Sequence, residues 1–256
     1  MSSTTNNKAV VSAAVTGMVA GYALCKLMPT IRRLLANSTS MPALYYWPAR
    51  GRGEQLRLIF AEAGVAFTDY AFDMGKPGDK EAFFKSCAEL GGNCTTNVPM
   101  VKIDGQYLTQ SSAVLRYLAR RYGLYPAEYD LQACYECDNL IAAAEDLRSA
   151  NYKPMAMFGG GEKEKEAYVK QTLPTHLKNT ARLLGKKNYF SGEHVTVADL
   201  TFYDVLHVCE CQVPGCILGS AFPTLRDFFL RMEARPGIAD WIASEQRKKL
   251  FAFPAL

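Results

Sequence analysis

Apolar positions change their period along this chain. Ala43–Tyr46, residues 67–72, residues 98–103 and Gln106–Leu108 carry the short apolar runs of strands, the last two joined as a hairpin across Asp104-Gly105. Between and after them the spacing turns helical. Residues 54–63 place Leu56, Ile59 and Phe60 on one face before Gly64 stops the run. Residues 80–90 predict a second helix after the turn at Lys76-Pro77-Gly78-Asp79, and residues 91–97 a polar, glycine-containing loop. A third helix, capped by Ser111 or Ser112, runs through Tyr122 and ends at Gly123. Residues 124–129 make a linker. From Asp130 onward every long segment has a helical period: Leu131–Tyr152, 163–184, 197–209, a helix opened by Phe222-Pro223-Thr224 and a last one over 235–242. Gly159-Gly160-Gly161 separates the first two. Thr196 with Asp199 three residues on is a capping box, which satisfies helix-start amides at the entrance to an apolar helix. The pattern predicts an α/β unit over 41–123, of order β-α-β-α-β-β-α, and an all-α unit over 130–256.

At 256 residues, 49% apolar and 21% charged, the chain is long enough for two cores and reads as globular. Its net charge of +4 has a single origin. Lys8, Lys26, Arg32 and Arg33 are the only charges before residue 41, and without them the body is formally neutral. A neutral body argues against nucleic-acid binding, which needs clustered basic charge. Eight cysteines without the dense spacing of a disulfide framework fit reduced thiols in a cytosol-type environment. Cys134 and Cys137 form a C-x-x-C, but inside a helical pattern with no strand before it, unlike a redox pair. With only His176, His194 and His207 as imidazoles, no metal site is expected, and His207, in an apolar helix, reads as a core residue.

The first forty residues form a separate segment. Residues 9–25 are uncharged and rich in Ala, Val and Gly, with Gly17 and Gly21 in a G-x-x-x-G. Lengthened by residues 27–31, the run approaches the roughly 20 residues of a bilayer span. Residues 1–40 are therefore expected to form an N-terminal hydrophobic helix that anchors or targets the protein, with membrane contact through 9–31. The basic residues after the run would hold the body on the cytoplasmic side.

Candidate chemistry gathers in the α/β unit. Residues 44–54, Leu-Tyr-Tyr-Trp-Pro-Ala-Arg-Gly-Arg-Gly-Glu, pass from a strand end through Pro48, Gly51 and Gly53 into a helix, a junction where α/β folds place ligands. There the chain presents the Tyr46 phenol, the Trp47 indole and the guanidinium groups of Arg50 and Arg52. Pro99 opens a strand and removes a backbone donor from its ladder. Gln110-Ser111 stands at a helix start, whose free amides favour a carboxylate. The element order is the thioredoxin-like arrangement, in which a proline at position 99 is typically cis and exposes the Val98 backbone to a peptide ligand.

Taken together, these residues resemble the glutathione transferases, most closely the sigma-like, prostaglandin D synthase-like class of Tyr-type cytosolic enzymes, over nearly all of residues 42–248. The resemblance implies a thioredoxin-like N-terminal domain, an all-α C-terminal domain, a homodimer, and conjugation of glutathione to a hydrophobic electrophile without a metal. By similarity Tyr46 is the catalytic residue, hydrogen-bonding the sulfur, with Trp47 beside it and Arg52 supporting the site. Val98 before Pro99 would pair its backbone with the cysteinyl part, and Gln110 and Ser111 would hold the γ-glutamyl end. Lys85 and Asn97 would meet the glycyl end, and Asp146 would reach across the dimer to the amino group of glutathione. Trp47, Arg148 and Tyr152 would border the electrophile pocket, which Phe251-Ala252-Phe253 would lid unless they pack on the first helix. Arg50 reads as a surface or interface charge. The chemistry is consistent, because a free thiol titrates near ~8.5 and a phenolic O–H aimed at the thiolate favours the nucleophile at neutral pH. The chain departs from the family pattern at Glu81, which stands where a tryptophan precedes the glycyl lysine, in the longer loop at 91–96, and at Asn97. Two alternatives stay open: a glutathione-dependent isomerase and a non-catalytic, crystallin-like binding protein on the same fold.

Overall fold

The computed structural model describes residues 41–72, 76, 78–79, 81–82, 84–85 and 97–256. The expected N-terminal hydrophobic segment, including 9–31, and the loop at 91–96 lie outside them. Among the described residues four strands, Ala43–Tyr46 (β1), Thr68–Ala71 (β2), Met100–Ile103 (β3) and Gln106–Leu108 (β4), form one mixed sheet of order β2-β1-β3-β4. β1 runs parallel to β2 and antiparallel to β3, and β4 closes a hairpin on β3. The hairpin turn puts Asp104 and Gly105 at φ 50° and 75°, the geometry that makes Asp-Gly a hairpin signal. A parallel β1–β2 pair needs a crossover, and the helix Gly51–Ala63 (α1) supplies it.

Leu56, Ile59 and Phe60 of α1 are fully buried, as their spacing predicts, and Gly64 ends the helix at φ 62°. The opposite side of α1 is buried as well. Glu54, Gln55 and Arg57 are all 1% exposed or less, because α1 lies between the sheet and the helical half of the chain. Asp79, Glu81, Ala82, Phe84 and Lys85 are helical, within the region where a second helix is expected. The next helix, Ser111–Tyr122 (α2), corrects an expectation: neither Ser111 nor Ser112 is its cap. Gln110 occupies that position, and Ser111 is the first helical residue.

The helical half contains Leu131–Tyr152 (α3), Glu162–Ala167 (α4), Leu173–Leu184 (α5), Val197–Gln212 (α6), Pro223–Glu233 (α7), Pro236–Ala243 (α8) and Glu245–Lys248 (α9). The single helix expected over 163–184 is interrupted by a π turn at Tyr168–Thr172. There the buried Tyr168 hydroxyl donates to Asn151 Oδ1 (2.7 Å). Helix α6 is the axis of this half, with nearly every residue buried. His207 on α6 lies between the rings of Tyr203 and Phe229, and burial pushes its imidazole down to about 4, so it is a neutral core residue. No described helix is long and apolar enough to cross a membrane.

The capping box at the start of α6 has more to hold than a helix end. Asp199 accepts hydrogen bonds from the Thr196 N–H (2.8 Å), the Thr196 hydroxyl (3.0 Å) and the Phe190 N–H (2.6 Å), tying the preceding loop to the helix. Burial still pushes its carboxyl up to about 6. Asp199→Ala would strand the buried Phe190 N–H and remove the cap acceptor of Thr196, and is expected to destabilise the protein by on the order of 3 kcal/mol. Thermal melting tests this, and a midpoint unchanged from wild type would refute it.

Candidate active site

Tyr46 is the last residue of β1, so the sheet delivers its side chain to the turn that leads into α1. The turn has to pass very close to the ring. A Cβ on Gly51 would come within 2.8 Å of the Tyr46 hydroxyl, and one on Gly53 within 2.6 Å of Cδ1. Real Cβ contacts are not this short, so both positions require glycine for Tyr46 to sit where it does. This approach brings the Arg52 N–H to the phenol oxygen, to which it donates at 3.1 Å. Burial pushes the Tyr46 phenol above its ordinary value, against the opposing pull of that amide and the charges of Arg52, Arg148 and Arg57. The phenol is therefore protonated at neutral pH. With one oxygen lone pair engaged by Arg52, its own O–H remains to be donated.

Tyr46 opens on a cavity of about 930 Å³. Trp47, Arg52, Asn97, Val98, Gln110 and Ser111 line it with polar groups and exposed backbone. Its apolar lining comes from both halves of the chain, through Trp47, Pro48 and Phe84 on one side and Tyr152, Met157, Phe158, Phe251 and Phe253 on the other. The Val98–Pro99 bond is cis. The Val98 N–H is donated to Asn97 Oδ1 (2.8 Å), so a peptide ligand would use that amide only by displacing the Asn97 side chain. Gln110 has φ 68° and ψ 100°, a backbone conformation that a residue with a Cβ adopts at a cost on the order of 1–3 kcal/mol. Such strained residues concentrate at ligand sites, and here Gln110 leads straight into the N-terminus of α2.

Ionic groups bind the two halves together behind this wall. Arg52 donates through Nε to Glu145 Oε1 (3.1 Å) and through Nη2 to the same oxygen. Its guanidinium also stands over the Tyr152 ring, 5.6 Å from the centroid. Glu145 in turn accepts from Arg148 Nε (3.0 Å), and Arg148 reaches Asp204 (2.7 Å) and Gln55 (3.1 Å). Burial pushes Asp204 up to about 6 despite the Arg148 charge, and burial pushes Tyr152 up to about 12.

The structure brings Tyr46, Trp47, Arg52, Asn97, Val98, Gln110, Ser111 and Tyr152 to one cavity, with Pro99 buried directly behind. Besides Pro99, three expected residues stand apart from its lining. Arg148 is 1% exposed and lies under the site, because the face of α3 that carries it is packed on α6 and its charge is spent on Glu145 and Asp204. Asp146 is exposed, and its neighbour Glu145 is the acid that faces the cavity, since adjacent helical positions point about 100° apart. Lys85 is exposed, and the neighbouring Phe84 lines the cavity instead. Arg50 departs from the surface role expected of it. It is half-buried; burial, then the neighbouring Arg247 charge, holds it below its ordinary value, and its Nε finds no acceptor among the described residues. Phe84, Glu145, Met157 and Phe158 are among the lining residues that sequence reading missed. The pair of adjacent acids was a usable signal for Glu145. Among the described residues no cluster of three or more His, Cys, Asp or Glu is placed to hold a metal ion.

Comparison with known proteins agrees with this geometry. Residues 42–120 match the family described as glutathione S-transferase, N-terminal domain, and residues 146–245 match glutathione S-transferase, C-terminal domain. Glutathione S-transferase Mu 1 of Oryctolagus cuniculus is 33% identical over 207 residues, covering 79% of this chain and 91% of that protein. The class-mu 26 kDa isozyme 1 of Fasciola hepatica is 33% identical over 211 residues, covering 80% and 89%. The solved structure of the Pi-class glutathione S-transferase of Onchocerca volvulus has the same fold, with a TM-score of 0.69 at 24% identity over 82% of this chain and 96% of that one. These relatives carry Mu and Pi class names, so the comparisons support the family and not specifically the sigma-like class expected from the motifs. On this evidence the chain belongs to the glutathione S-transferase family.

Proposed function

We propose that this chain conjugates the glutathione thiolate to hydrophobic electrophiles, and that the Tyr46 O–H donates a hydrogen bond to the sulfur. One observation carries the reading: Tyr46 is held protonated at the cavity wall, its oxygen already accepting from the Arg52 amide. A phenol in that state can act only as a donor to an incoming anion, and a thiolate gains most from such a donor. The α/β half (41–123) would bind glutathione through Val98, Gln110 and Ser111, with Asn97 and Lys85 toward the glycyl carboxylate. In a homodimer the exposed Asp146 would be available to the glutathione of the second copy. The helical half (130–256) would bind the electrophile, for which Tyr152, Phe158, Phe251 and Phe253 supply flat apolar contacts. Arg148 would serve the site through Glu145, without touching the electrophile.

The test is stoichiometric. With glutathione and an activated aromatic halide, one thioether should form for each glutathione consumed. Turnover of an endoperoxide with glutathione regenerated would make the protein an isomerase of the sigma-like kind. Retention on immobilised glutathione with no turnover of halide, peroxide or endoperoxide would make it a binding protein.

A further inference from the structure

Residues 48–50 and 251 are some two hundred positions apart, yet they pair main chain to main chain. Phe251 donates its N–H to the Pro48 carbonyl (2.9 Å), and the Arg50 N–H donates to the Phe251 carbonyl (3.0 Å), a parallel bridge centred on Ala49. The bridged residues are the turn between Tyr46 and Arg52. Both ends of the 250–256 segment are fixed to the helical half. Leu250 N–H donates to the Arg247 carbonyl (3.1 Å), and Leu256 N–H donates to the Gln212 carbonyl (3.0 Å). Between these points Phe253 is buried against Met155 and Val208, with Tyr152 packed on the group. Within the turn itself, the backbone bond Ala49 N–H to Trp47 O (2.7 Å) is joined by the Arg57 guanidinium, which donates to Ala49 O (2.9 Å).

We propose that residues 250–256 are a strap that positions the sulfur site. The main chain of Phe251 sets where residues 48–50 lie, and so where the Arg52 amide meets the Tyr46 oxygen. The side chains of Phe251 and Phe253 meanwhile shape the electrophile wall. Phe251 is thus a positioning residue through its backbone and a specificity-determining one through its ring. This rests on the proposed role of Tyr46, and the test separates the two.

Phe251→Ala keeps both main-chain bonds and removes the ring, whereas Phe251→Pro also removes the N–H donor. Both are compared with Tyr46→Phe in glutathione conjugation to an aromatic halide across pH. Phe251→Pro is expected to lower kcat/KM for glutathione roughly tenfold, since small misplacements of reacting groups are that costly. It should also move the pH midpoint of kcat at saturating glutathione up toward the free-thiol value of about 8.5. Phe251→Ala is expected to leave the midpoint in place and to change KM for the halide. A chain ending at Leu250, with its fold checked by circular dichroism, repeats the Phe251→Pro measurement without a proline ring. Wild-type kcat/KM and midpoint in both Phe251→Pro and the shortened chain would overturn the strap while Tyr46→Phe remained impaired. A silent Tyr46→Phe would instead overturn the reading of Tyr46 and, with it, the strap, which acts through that residue.

Discussion

Tyr46→Phe is expected to lower kcat for halide conjugation on the order of 10²-fold, the usual cost of deleting one preorganised donor to a developing or resting anion. Glutathione affinity should change far less, because on the proposed reading the tripeptide would be held mainly by backbone and by the Gln110-Ser111 helix start, which the substitution leaves alone. The sign of the pH effect follows from the chemistry. A donated O–H stabilises the thiolate and lowers the thiol pKa in the complex, so its loss raises that pKa toward the free-thiol value near ~8.5. The variant should therefore recover part of its deficit as pH is raised through that value. Burial keeps the Tyr46 phenol protonated well beyond neutrality, so the wild type does not lose its donor over the same range. Profiles of kcat at saturating glutathione settle the matter, and superimposable profiles for variant and wild type would remove Tyr46 from the mechanism.

Glu54→Gln is expected to be the most damaging of the conservative changes for stability. Glu54 is 1% exposed and accepts from Trp241 Nε1 (3.1 Å), Arg247 Nε (2.6 Å) and Arg57 Nη1 (3.5 Å). Arg57 has Asp69 as a second carboxylate, at 2.7 Å, whereas the buried Arg247 pairs with Glu54. Removing the charge strands a guanidinium in the core, which typically costs about 3–5 kcal/mol. The midpoint of thermal unfolding should fall by roughly 10 °C at 2–4 °C per kcal/mol for a chain of this size. Adding Arg247→Met should restore part of the loss, since the stranded charge goes with it. Burial raises the Glu54 carboxyl, but Arg247 and Arg57 outweigh it and hold the group below its ordinary 4.5. A folded-state pKa below the unfolded one means this stabilisation is complete above about pH 4.5 and is lost as pH falls through the folded value. A Glu54→Gln protein that melts within a degree or two of wild type, with the same acid transition, would sink the argument.

Much of the fold was legible because it is written in local patterns. The strands, the crossover helix stopped by Gly64, the Asp-Gly hairpin and the box at Thr196 and Asp199 each depend on residues within a few positions of one another. Most of the cavity lining from the α/β half was legible for a different reason. Tyr46, Val98-Pro99 and Gln110-Ser111 are distinctive residue types at turns that the topology brings together. The misses share a cause. Arg57 and Glu54 look like the solvated face of an amphipathic helix, and only packing against a second layer shows that α1 has no solvated face. Glu145 and Asp146 are equivalent in sequence, and their 100° separation on α3 decides which meets Arg52. Ser111 has the better capping propensity, yet the chain places Gln110 in the cap conformation and leaves Ser111 inside the helix, facing the cavity.

Helix α1 has a further consequence for how such a protein changes. Arg52, Glu54, Gln55 and Glu62, all on α1, bond to Glu145, Arg247, Arg148 and Arg235 of the other half. Gly237 lets α8 press against it so closely that a Cβ would fall 2.1 Å from the Ala61 carbonyl. The helix that presents the Arg52 amide to Tyr46 is thus seated in the partner layer as firmly as in its own sheet. A substitution at the α1–α8 seam, remote from any substrate atom, would tilt that seat and retune the nucleophile. On the proposed role of Tyr46, reactivity would be adjustable from outside the cavity for a lineage or a protein engineer, and exchanging either half for a foreign counterpart would reset the acidity of a bound thiol.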